Sequence, residues 1–153
     1  MPIFSHPTWD IVLFLCLMAM GFFIGVSRGK KNIVVALIAL YMDLVIFPIL
    51  PIETLPVSGK NYFIVGIFFM IFILLSFLLR RVLKSTGEEG WWRIFVLSFL
   101  LAAFIFAAFF VIAPKEIIVQ NTWGFSPLTI KIFLNSSYAK YWLILPLLGI
   151  LFF

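Results

Sequence analysis

Four long apolar runs decide what this chain can become. Residues 11–27 form a seventeen-residue run between Asp10 and Arg28. Residues 32–52 form a run of twenty-one, broken only by Asp43. Residues 61–79 and 94–114 add runs of nineteen and twenty-one. A helix needs about 20 predominantly apolar residues to cross the hydrocarbon of a bilayer, with about 17 as the lower limit. Lipid offers a backbone no hydrogen-bond partner, and four segments cannot close a barrel, so the spans are helices. The expected fold class is all-α: four transmembrane helices with a C-terminal interfacial tail.

Composition agrees. Apolar residues make up 65% of the 153 positions and charged residues 11%. Soluble domains carry about 25% charged residues, so a soluble enzyme, a nucleic-acid-binding domain and a disordered tail are excluded. The first run is not expected to be a cleaved signal, because no positive region precedes it. The basic balance, +5 overall, is explained by where the cations lie. Arg28, Lys30 and Lys31 follow the first span, and Arg80, Arg81, Lys84 and Arg93 separate the third from the fourth. Short Lys- and Arg-rich loops stay in the cytoplasm. Both termini are therefore expected outside, in a bacterial inner membrane. The same cations suit anionic headgroups.

The chain divides into a bundle over 1–116 and a hydrophobic tail over 117–153. Ser126-Pro127 reads as an N-cap followed by proline at the first helical position, opening a short helix near 128–135. Tyr138, Lys140, Tyr141 and Trp142 suit an interfacial belt. The apolar end, 143–153, is too short to span. It is expected to lie on the outer leaflet or dip into it, a fifth crossing being the weaker alternative.

Small residues point to helix packing. Gly21 and Gly25, with Gly29 after them, repeat every four residues and make a flat stripe. Ser98–Ala102 and Ala103–Ala107 form two more on the fourth span, and Ala36 and Ala39 lie on the second. The third span is bulky and Phe-rich. The first, second and fourth spans are therefore expected to touch one another, with the third outside. The stripes serve packing within the chain or between copies.

Residues able to carry chemistry are few. Asp43 is the only ionisable residue inside a span, and a charged carboxylate at the bilayer centre costs roughly 2.5–3.5 kcal/mol on insertion scales. Such groups mark ion or proton paths. Alternatively, Pro48 and Pro51 end the helix early, which places Asp43 near the outer headgroups in a structural role. Arg28 is expected to anchor topology by snorkelling, and Arg93 with Trp91 and Trp92 to anchor the fourth span. The turn at Glu88-Glu89-Gly90 precedes that span. His6 and Cys16 have no companions for metal or nucleophile chemistry. No catalytic constellation, cofactor motif or metal-ligand spacing is present, so neither an enzyme nor a cofactor is expected.

The pattern resembles the colicin V production family of bacterial membrane proteins. The carrying residues are Asp10 opening the first span, then Gly21-x-x-x-Gly25-x-x-Arg28-Gly29, and a second basic hinge from Leu83-Lys84-Ser85-Thr86-Gly87 to Arg93. Two positions depart from it. Trp92 stands where the family often has an acid, and the fourth span has alanine in place of glycine and no internal charge. The resemblance implies a non-enzymatic inner-membrane protein supporting toxin production, secretion or envelope homeostasis, with Asp10, Arg28 and Gly29 as its signature positions. The expected partners are the lipid bilayer and a membrane protein or a second copy. The alternative function is a small oligomeric channel or proton-linked transporter using Asp43.

Overall fold

The computed structural model describes residues 9–50, 60–82, 90–113 and 125–152. His6, Glu53, Pro51, the 83–89 hinge with Lys84, Glu88 and Glu89, and Glu116 lie outside the described residues. Among those described there are six α-helices, one 3-10 turn and no strand. They are α1 (Trp9–Arg28), α2 (Lys30–Ile46) continued by the turn Phe47–Ile49, α3 (Lys60–Val82), α4 (Trp91–Ile112), α5 (Pro127–Leu134) and α6 (Ser136–Phe152). The fold is all-α. Four helices are long and apolar enough to cross a membrane, as a multi-pass membrane protein requires: Trp9–Arg28, Lys30–Ile49, Tyr62–Val82 and Trp91–Ile112. At 1.5 Å per residue, the 20 residues of α1 cover about 30 Å, the thickness of the hydrocarbon.

Local chemistry sets the boundaries. Only Gly29 separates α1 from α2, and its φ of 87° is a conformation in which a Cβ is strained. Asn32 seals this turn. Its amide nitrogen donates to the Arg28 carbonyl at 2.6 Å, and its backbone N–H reaches the Gly29 carbonyl at 3.1 Å. At the other end of α2, Pro48 sits in the 3-10 turn Phe47–Ile49, so the α-helical part stops short of residue 52. Ser126 caps α5 by accepting from the Thr129 N–H, with Pro127 in the first turn.

Packing follows side-chain size. Helix α4 is the centre and touches α1, α2, α5 and α6. Its small residues Ser98, Ala102, Ala103, Ala107 and Ala108 are all buried. Helix α3 packs chiefly on α2 and exposes Phe63, Met70, Ile73 and Phe77. One core joins Ile33, Leu37 and Leu40 of α2 to Leu97, Leu101 and Phe104 of α4, with Phe68 from α3. A second lies at the other end of α4, where Phe106 and Phe110 meet Phe125 and Phe133.

The C-terminal arm is built onto this bundle. Helix α6 runs beside α4 until Gly149 sits against Leu97 and Leu100, where an added Cβ would lie 2.4 Å from Leu100 Cδ1. The Tyr41 hydroxyl donates to the Leu143 carbonyl, tying α6 to α2. At 17 residues α6 is shorter than the four spans. It dips well along the bundle rather than resting on its end.

Candidate functional site

The most organised polar group is Asp10, in the first turn of α1 and 1% exposed. Its Oδ2 accepts three hydrogen bonds from the start of α5: the Ser126 N–H at 3.0 Å, the Ser126 hydroxyl at 2.8 Å and the Thr129 hydroxyl at 2.5 Å. The Ser126 hydroxyl oxygen also accepts the Thr129 N–H at 3.2 Å. One carboxylate thus sits at the N-termini of two helices, where unsatisfied N–H groups and the helix dipoles favour negative charge. Aromatic rings close over this polar knot. Trp9 and Phe125 lie 5.2 Å apart, and Phe125 is 5.2 Å from Phe110. Phe133 continues the cluster to Trp142 at 5.3 Å. The group is buried and its Oδ2 is held by three donors from α5, which is the geometry of a latch between α1 and α5.

Gly29 and Arg28 lie where α1 ends. Gly29 makes the α1–α2 turn, and Arg28 is exposed in the last turn of α1. Gly21 and Gly25 lie at helix crossings. A Cβ on Gly21 would meet Ser98 Cβ at 3.4 Å, ordinary contact. One on Gly25 would lie 2.5 Å from both Ile33 Cδ1 and Ile94 Cγ2, too close to stand without a shift. Ser98 satisfies its own hydroxyl on the Ile94 carbonyl at 2.7 Å. Ala103 and Ala107 are buried along α4.

Asp43 is placed differently. It is fully buried, and neither carboxyl oxygen has a hydrogen-bond partner among the described residues. It lies near the end of α2 yet points inward, so burial replaces the headgroup contact that its position along the helix would have allowed. Ala39, one turn earlier, is buried too. Trp91, Trp92 and Arg93 are exposed at the start of α4. Cys16 is exposed.

A cavity of about 590 Å³ runs between α1 and α3 with α2 and α4 behind it. Leu13, Leu17, Met20 and Ile24 form its α1 wall, and Phe69, Phe72, Ile73 and Phe77 its α3 wall. Asp43 does not line it. Among the described residues no group of three or more His, Cys, Asp or Glu side chains is placed to hold a metal ion.

Sequence reasoning missed the pairing of Asp10 with Ser126 and Thr129. The capping motif at Ser126 was its one visible half. No known protein family, curated protein or solved structure matches this chain.

Proposed function

We propose that this chain is a non-enzymatic scaffold or accessory protein of the bacterial inner membrane, resembling the colicin V production family and supporting secretion or envelope maintenance. The observation that carries the reading is the Asp10 latch. Asp10 and Gly29 are two of the positions on which the resemblance rests. One is spent on holding α5 to α1 and the other on a backbone turn. Positions engaged in this way build a surface. The basic ends of α1 and α3 face the cytoplasm by the positive-inside rule, so the latch, α5 and the start of α6 face outward. Tyr138 and Tyr141 are exposed on that arm and form the surface offered to a partner protein.

The test is a photo-reactive side chain at Tyr141 in the full-length protein in cells. A single discrete adduct, lost when Asp10→Ala releases the arm, supports the scaffold reading. No protein adduct at Tyr141 or Tyr138, from a folded protein, overturns it.

A further inference from the structure

Beyond the scaffold role, we propose that the groove between α1 and α3 holds one acyl chain of an anionic phospholipid, with the phosphate at Arg80 and Ser76. The inference rests only on the four helices crossing a bilayer.

The dimensions suit an acyl chain. On α1 the lining runs from Trp9 to Ile24, about 22 Å at 1.5 Å per residue. That exceeds the depth of one leaflet, about 15 Å. A volume of about 590 Å³ along that length accommodates an extended alkyl chain. The volume also lies within the roughly 300–1,000 Å³ of ordinary ligand sites.

The polarity selects the headgroup. Most of the lining is aliphatic or aromatic, and Asn32, Ser76 and Arg80 gather at the end where the basic residues lie. Ser76 and Arg80 are four residues apart on α3 and share a face. The Ser76 Oγ is buried and has no hydrogen-bond partner among the described residues. Ser27 and Ser98 behave otherwise, each donating to the carbonyl four residues back. A hydroxyl donor and a guanidinium at the mouth of an apolar groove match a phosphate diester, and Arg binds phosphate in a bidentate fork. Arg28 and Arg81 lie at the same end and add attraction for a net negative headgroup.

The experiment is native mass spectrometry of the full chain, titrated with phosphatidylglycerol or with phosphatidylcholine of identical acyl chains. Wild type is expected to retain one phosphatidylglycerol about tenfold more strongly than phosphatidylcholine. Arg80→Gln, at an exposed position, removes that preference. Leu17→Trp fills the groove and abolishes retention of both lipids, with helicity checked by circular dichroism. Leu13→Trp is the second blocking variant should the first not fold. Equal retention of the two headgroups by wild type overturns the proposal, as does retention unchanged in the blocking variants. A dimer that separates when the groove is filled also overturns it, in favour of a second copy as the occupant.

Discussion

Breaking the Asp10 latch has a calculable effect. Asp10→Ala removes three hydrogen bonds to one carboxylate oxygen. Bonds to a charged acceptor contribute about 1.5–3 kcal/mol each in isolation. Here they share an acceptor, and the freed Ser126 and Thr129 hydroxyls can turn to each other across 2.9 Å, so the sum overshoots. The expected loss is about 3 kcal/mol. It falls on the docking of α5, because all three donors belong to Ser126 and Thr129 at its start. Amide exchange along α5 should therefore accelerate on the order of a hundredfold, while α4 amides change little. Thr129→Val removes one donor and leaves the Ser126 cap intact. A cycle of Asp10→Ala with Thr129→Val in micelles should return a coupling of about 1.5 kcal/mol. Additive effects, or α5 exchange unchanged in Asp10→Ala, would refute the latch.

Other perturbations separate the packing claims. Gly25→Ala should destabilise the bundle by about 1–3 kcal/mol through overpacking against Ile33 and Ile94. Gly21→Ala should be neutral or stabilising by up to about 1 kcal/mol from helix propensity, since Ser98 lies at ordinary contact distance; denaturation of both variants side by side is the check. Gly149→Leu should undock α6 from Leu97 and Leu100, which protease sensitivity near Tyr138 would report; an unchanged digestion pattern would contradict the docking. In a Cys16→Ala background, cysteines at Lys30 and Arg81 should react with an impermeant reagent only from the cytoplasmic side, and one at Tyr138 only from outside.

The parts of the fold that rest on local chemistry were legible in the sequence. Long apolar runs, interrupted by a single ionisable residue, Asp43, mark α1 to α4, because a charge in lipid is costly. Ser126-Pro127 announces the start of α5, because a cap and its proline are neighbours along the chain. The bulk of the third span predicts its outer place, and α3 leaves Phe63 and Phe77 exposed. What stayed hidden is tertiary. Asp10 and Ser126 are 116 residues apart, and nothing near either residue names the other. The depth of α6 depends on Gly149 meeting Leu100, a contact between two helices rather than a property of one. The groove exists only because α2 and α4 set the separation of α1 and α3. Asp43 could be read from sequence as an interfacial or an interior acid. Its inward direction follows from the packing around α2.

The most direct test of the scaffold reading is ion and proton flux in proteoliposomes, wild type against Asp43→Asn, with oligomer size measured in the same preparation. Asp43 does not line the groove, and neither of its carboxyl oxygens has a hydrogen-bond partner among the described residues. The account predicts no flux above empty vesicles for either protein. A flux carried by the wild type and lost in Asp43→Asn, with insertion and abundance unchanged, would contradict it and make the chain a channel or transporter.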